Sequence, residues 1–400
     1  MVKEADFLVI GGGIIGLSIA RELRRRFNGS RVIVIEKEDR CGQHASGRNS
    51  GVLHAGFYYS PDSLKARFTR DGNRSLTEYC LSHGLKINRC GKLVVARNES
   101  EWDALDELLA RARNNGVELQ SIDQKEAEAI EPRVKTCGRA LFSPTTASLD
   151  PEEVMAHLRQ DAETEGVQIH TGVRYLFRSG NGIETSKGNY FFRYLVNCAG
   201  LYADQIARDF GCSRNYRILP FKGLYLKSTE PPGALRTHVY PVPDLRFPFL
   251  GVHFTVTAEG NIKLGPTALP ALWREHYQYL ENFRLEELME ILLRQSGLLF
   301  TGNSHFMRLA WEEIRKYSRR HLVSLASELI HGVRKSQYRN WGKTGIRAQL
   351  LDIRQKKLEM DFVVESHEKS LHILNAVSPA FTCAFPFTEF ICQKIEALLG

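Results

Sequence analysis

Gly11, Gly13 and Gly16 stand at the spacing G-x-G-x-x-G, and a carboxylate, Glu36, follows after a second apolar run. Together they suit the holding of a dinucleotide. Gly11 permits a tight turn, Gly13 lets a pyrophosphate approach the backbone, and Gly16 lets a helix lie close to a sheet. Glu36 can accept both hydrogen bonds of a ribose diol. Soon after comes HASGRNSGVLHAGFYY, His44 to Tyr59, with imidazoles at both ends and a guanidinium at Arg48. It has too many glycines for a good helix and too many polar residues for a buried strand.

The elements that must position these residues are also legible. Phe7 to Ile10 is an apolar strand, Ile15, Ile19 and Leu23 recur at helical period, and RVIVIEK is a second strand ending at Glu36. The helix N-terminus offers N–H groups and partial positive charge to phosphates. A plain NAD domain would run on to another strand–helix pair. Here the chain enters the glycine- and serine-rich loop, whose N–H groups suit the ribityl and pyrophosphate chain of FAD. LDPEEVMAHLRQDAETEGVQIHTG reads as a helix opened by Asp150 and Pro151, then a strand. YFFRYLVNCAG is a further strand, ending in a small-residue turn that can approach a cofactor.

Composition narrows the class. A 400-residue chain with 43% hydrophobic and 25% charged residues is an ordinary globular protein of two or three domains. A formal charge of +8 favours acidic partners, but no RNA-binding signature or zinc-finger spacing accompanies it, so nucleic acid is not expected. The eight cysteines are scattered without a C-x-x-C pair, which reads as reduced thiols in a cytoplasmic protein and no metal site. Only five residues precede DFLVIGGG, so no signal peptide is expected.

SGRNSGVLHAGFYY, SLKA from Ser63, VNCAGLYAD from Val196, YPVPD from Tyr240, FPFLGVHFT from Phe247 and GIRAQLLD from Gly345 follow the glycine fingerprint in order. In these the chain resembles the FAD-dependent D-amino-acid-oxidase-like superfamily and, more narrowly, the L-2-hydroxyglutarate dehydrogenase/oxidase family. The resemblance implies an α/β fold, a Rossmann-like FAD-binding domain assembled from discontinuous segments beside a sheet-containing α+β substrate domain. We expect 1–85, 145–220 and 335–400 in the first, and 86–144 and 221–334 in the second. Cofactor contacts are expected from Gly11, Gly13, Ile14, Gly16, Glu36 and Lys37, from Ser46, Arg48, Asn49, Ser50 and Gly51, and from Val173, Ala199, Gly200, Gly345, Ile346, Pro379 and Ala380.

Oxidising a 2-hydroxy acid removes a hydride from the carbinol carbon and a proton from its hydroxyl. The flavin takes the hydride. His54 is the expected base, since imidazole titrates near neutral pH. His253 is a second candidate, although strand alternation alone does not say which face meets a ligand. A small dicarboxylate calls for an arginine fork, and Arg347 follows a glycine turn. Lys222, Tyr58, Tyr59 and Tyr225 are further candidates for substrate contact.

The chain departs from the family's pattern at Leu224, where a glutamate is usual, at Val256, where an arginine is common, and over Thr382 to Ala384, where small hydroxyl residues are usual. SHFMRLAWEEIRKYSRRHL, near 305–321, places Met307, Trp311 and Ile314 on one helical face beside Arg315, Lys316, Arg319 and Arg320. Such a helix can lie on an anionic membrane, as an enzyme that reduces a quinone would need. Molecular oxygen is the competing acceptor. Two other readings stay open at this point: an amine or amino-acid oxidase of the same superfamily, and a flavoprotein without small-substrate turnover.

Overall fold

The computed structural model describes residues 3–245, 251–299 and 311–399. Its centre is a sheet in which Lys3–Ile10 pairs in parallel with Val32–Ile35 on one side and Gly188–Asn197 on the other. Gln168–His170 extends it beyond Val32–Ile35, and Ser370–Asn375 joins Gly188–Asn197 in parallel. The central strand is covered on both faces, and Phe7, Leu8, Val9 and Ile10 are all buried. That is why its sequence is continuously apolar rather than alternating.

Helix Ile14–Arg26 follows the first strand at once and buries Ile15, Ile19 and Leu23 as their spacing predicts. Pro151–Thr164 and the C-terminal Ala384–Leu399 flank it. Asp150 caps the former, its carboxylate accepting from the Glu152 N–H at 2.8 Å.

A largely antiparallel sheet forms the second body, in the order Asn340–Trp341, Leu226–Lys227, Ile262–Gly265, His253–Val256, His238–Pro241, Lys92–Val95, Arg139–Ser143 and Gln120–Asp123. Between the two lies a smaller sheet, where Tyr216–Gly223 pairs antiparallel with Gly345–Asp352. Gly345–Asp352 therefore lies outside the parallel sheet, although sequence grouped it with the FAD-binding segments, and Asn340–Trp341 pairs in the second body.

The basic helix expected near 305–321 takes another form. Met307 and its neighbours lie outside the described residues. From Trp311 the helix ends in a turn at Lys316, and a new helix, Arg319–Ala326, begins after Ser318. Lys316 is buried, paired with Glu313 rather than solvated. Among the described residues no helix is long and apolar enough to cross a membrane.

Candidate active site

The glycine turn is built as its spacing requires. Gly11 has φ +110°, and a Cβ there would meet the Cys198 carbonyl oxygen at 2.5 Å. A Cβ on Gly16 would stand 1.9 Å from the Gly11 oxygen, so only glycine lets this helix approach the strand. Glu36 closes the turn: Oε2 accepts from the Gly12 N–H at 2.8 Å and Oε1 from the Glu38 N–H at 3.0 Å. Ser46 reaches back from the loop, its hydroxyl accepting from Ile14 N–H at 3.0 Å. The first helical turn carries no acidic side chain, which leaves it suited to a phosphate.

A cleft of about 800 Å³ runs from this turn between the bodies. That volume lies within the range of about 300–1,000 Å³ found for small-molecule and cofactor sites. Gly11, Gly13, Ile14, Gly16, Glu36 and Lys37 line one end. Ser46, Arg48, Asn49 and Ser50 line it with Ala199 and Gly200, and Val173, whose N–H donates to the Glu36 carbonyl, stands at the Glu36 end. Gly345, Ile346, Arg347, Pro379, Ala380, Tyr225 and His54 close the other end. A long, narrow ligand with a phosphate-rich middle fits this wall, and FAD has that shape.

The far end carries the reactive groups. His54 follows the short strand Val52–Leu53, which pairs with Ala147–Leu149. Its backbone N–H is held by the Thr382 hydroxyl at 3.2 Å, and its carbonyl accepts from Asn73 at 3.1 Å. The buried Nδ1 has no hydrogen-bond partner among the described residues. Burial, then the charge of Lys92, holds this imidazole well below its ordinary pKa. Arg347 projects from Gly345–Asp352, and burial lowers its pKa as well. Tyr225 is raised to about 12 by burial, a rise opposed by a hydrogen bond with Ser50 and by the charge of Arg347.

Five expected residues are not on the cleft wall. Gly51 has φ +81° and presses against the Leu149 carbonyl, supporting the loop from behind. Lys222 alternates with Phe221 and Gly223, which do face the cleft, so its side chain takes the opposite face. Its charge is felt instead by His276. Tyr58 is turned inward beside Phe57, with ring centroids 4.4 Å apart. Tyr59 is half-buried, with Arg347 and Cys383 as its electrostatic neighbours. His253 stacks on Tyr240, centroids 3.6 Å apart and planes 13° from parallel.

Sequence reasoning missed what stands behind these rings. Lys92 is fully buried, and its ammonium lies 4.7, 4.5 and 4.9 Å from the ring centroids of Phe57, Tyr58 and Tyr240. A lysine opening the apolar run KLVV was the signal available. Also missed was the clasp at the near end, where Lys37 Nζ meets Glu275 at 2.7 Å and His44 Nδ1 meets the Tyr277 hydroxyl at 2.6 Å. Arg48 lies over the Tyr277 ring at 4.2 Å. Of the departures from the family pattern, Val256 is a core residue, while Thr382 holds His54 directly.

The family model described as FAD dependent oxidoreductase matches residues 6–385. L-2-hydroxyglutarate dehydrogenase of Escherichia coli K12 is 32% identical over 401 residues, covering 99% of this chain and 94% of that protein. The mitochondrial L-2-hydroxyglutarate dehydrogenase of Homo sapiens is 35% identical over 414 residues, 98% of this chain and 88% of its own length. Among solved structures, L-α-glycerophosphate oxidase from Mycoplasma pneumoniae with FAD bound superposes with a TM-score of 0.78 at 21% identity, covering 100% of this chain and 95% of that one. Glycine oxidase from Geobacillus kaustophilus gives 0.73 at 18% identity, covering 99% and 95%. These two likenesses speak for the fold alone.

Proposed function

The chain belongs to the FAD dependent oxidoreductase family, and on that premise we propose that it oxidises L-2-hydroxyglutarate to 2-oxoglutarate. The observation that carries the reading is the meeting of His54 and Arg347 at one end of a cleft whose other end is the phosphate-binding turn. The near full-length similarity to L-2-hydroxyglutarate dehydrogenases supplies the substrate.

FAD, when bound, supplies the hydride-accepting ring. Gly11, Gly13 and Gly16 admit the pyrophosphate, and Glu36 accepts from the ribose. Arg347 holds a substrate carboxylate through its planar fork. His54, kept free of its own proton by burial, takes the proton of the substrate hydroxyl as the C–H bond breaks. Two electrons and one proton leave with the hydride, one proton passes to the imidazole, and a ketone remains. Tyr225 borders the arginine end, where its hydroxyl can donate to the same carboxylate. The parallel-sheet segments form the cofactor body and the antiparallel sheet the substrate body.

Electrons then pass to a quinone or to O2. The membrane reading gains from the surface. Helix Leu285–Leu299 exposes Leu285, Met289 and Leu293 at successive turns, and further along the chain Trp311 and Tyr317 are exposed together with Arg315, Arg319 and Arg320. Exposed apolar side chains accompanied by arginines suit an anionic bilayer.

The deciding experiment is anaerobic. The purified holoprotein is mixed with L-2-hydroxyglutarate, with the D-isomer, L-lactate and sarcosine as controls, and the visible flavin band is followed. Bleaching by L-2-hydroxyglutarate alone is expected. A flavin that stays oxidised with it but bleaches with sarcosine would replace the hydroxy-acid reading with an amine oxidase.

A further inference from the structure

Lys92 is charged machinery that nothing in the cleft wall accounts for. It opens the strand Lys92–Val95 at the middle of the antiparallel sheet, opposite His238 on one side and Ser143 on the other. Its side chain is fully buried, and among the described residues its ammonium has no hydrogen-bond partner. Among the described residues it makes no ion pair. The groups that face it are Phe57 and Tyr58 from the His54 segment, His238 and Tyr240 from His238–Pro241, and His253 from His253–Val256. All are neutral, or become less readily protonated because of it.

Three aromatic faces at 4.5 to 4.9 Å give an ammonium a partial substitute for water. They do not give it a counter-ion. A buried charge left in that state costs free energy and persists where a partner completes it. The proposed reaction brings an anion, the substrate carboxylates, to the His54 end of the cleft. His54 lines the cleft and feels the charge of Lys92, and in a water-poor site charge acts over several ångströms without contact.

We propose that Lys92 is a positioning residue for the reaction at His54: a caged positive charge behind the histidines that repels a proton from the base and is compensated when an anionic substrate fills the cleft. This deepens the function proposed above and rests on His54 being the base. The direction of the protonation equilibria agrees. Burial lowers Lys92 to about 7, so its charge is full in acidic solution and partly present at neutral pH. The charge of Lys92 follows burial itself as the leading cause of the depression at His54 and at His253.

The test reads protonation apart from turnover. Holoenzyme carrying histidine labelled at Cε1 and lysine labelled at Cε is titrated by NMR, the signals being assigned with H54N and K92R. In K92M the His54 titration should move up by about one unit or more, since one unit corresponds to a tenfold change in proton affinity. In K92R it should stay near the wild-type position. A His54 titration in K92M that overlays wild type overturns the proposal. Should K92M fail to fold, the wild-type enzyme decides. Glutarate, an unreactive dicarboxylate, should raise the Lys92 titration by a similar amount, and a Lys92 signal indifferent to saturating glutarate overturns the idea. A coupled His54 and Lys92 in a protein whose flavin L-2-hydroxyglutarate does not reduce would leave this inference standing and sink the substrate.

Discussion

Two buried cations in this molecule are treated in opposite ways. Arg274 is 1% exposed and faces Asp204, itself fully buried, with Nη1–Oδ1 at 2.7 Å and Nη2–Oδ2 at 3.1 Å. Nη1 also donates to the Leu201 carbonyl, and the spare capacity of Asp204 is taken by the Ile218 N–H at 3.2 Å and by Arg208 at 3.3 Å. Only Arg274 Nε is left over. Lys92, equally buried, has aromatic faces and no hydrogen-bond or ion-pair partner among the described residues. The Tyr58 hydroxyl and His54 Nδ1 beside it are unpartnered too. A pair that is complete in the resting protein holds the fold, here tying the segment that carries Arg274 to the turn after Asn197. A set that is incomplete marks where a ligand must finish the structure.

The comparison can be broken at either end. The largest effect expected is on turnover. His54→Asn should slow anaerobic flavin reduction by about 10²–10⁴-fold, the usual contribution of a positioned base. The unfolding midpoint should barely move, because the ring it removes satisfies no partner through Nδ1. Stopped-flow reduction within tenfold of wild type would take the base away from His54.

Next in size is the complete pair. Asp204→Ala leaves a buried guanidinium without its carboxylate and should cost about 3–5 kcal/mol in denaturant unfolding, with flavin reduction by the surviving folded enzyme little changed. A loss below 1 kcal/mol would make the pair an ornament, and the contrast with Lys92 would lose its meaning.

The smallest effect is a pH dependence. His238, one of the rings facing Lys92, is held at about 3 by burial and then by the lysine charge. A histidine near its ordinary value of about 6.5 when unfolded binds a proton there first, so stability is full above that pH and is lost as pH falls toward the folded value. The expected loss is up to about 2 kcal/mol for this imidazole at pH 5. Asp204, whose pKa is lowered, contributes above the unfolded carboxylate value and stays silent in that window. Thermal unfolding at pH 7 and pH 5 should therefore separate the regions, with the loss smaller in K92M, where the lysine charge is gone. Equal losses in both proteins would sever His238 from the lysine.

Much of the dinucleotide half was written in the chain locally. Gly16 and Glu36 act through a missing Cβ and two N–H groups within one strand–helix–strand unit, while Gly11 adds a positive φ and room for the distant Cys198 carbonyl. Asp150 caps the helix it precedes. Short-range geometry of this kind is fully specified by spacing, and so was the wall it builds. The substrate end was legible by residue type but not by direction. His54 and Arg347 reach the cleft, whereas Lys222, Tyr58 and His253 do not, because each turns on a one-residue alternation or a ring stacked on a distant strand.

Sequence by itself determined the cofactor turn and the strands and helices around it, and it offered His54 and Arg347 as candidates that reach the cleft. Tertiary structure alone decided that a lysine from Lys92–Val95, rings from the His54 segment and histidines from His238–Pro241 and His253–Val256 share one dry space. The physical reason is that a charge's behaviour depends on what water it has lost and what partners it has gained. Those are properties of packing between separate segments of the chain, and no local pattern carries them.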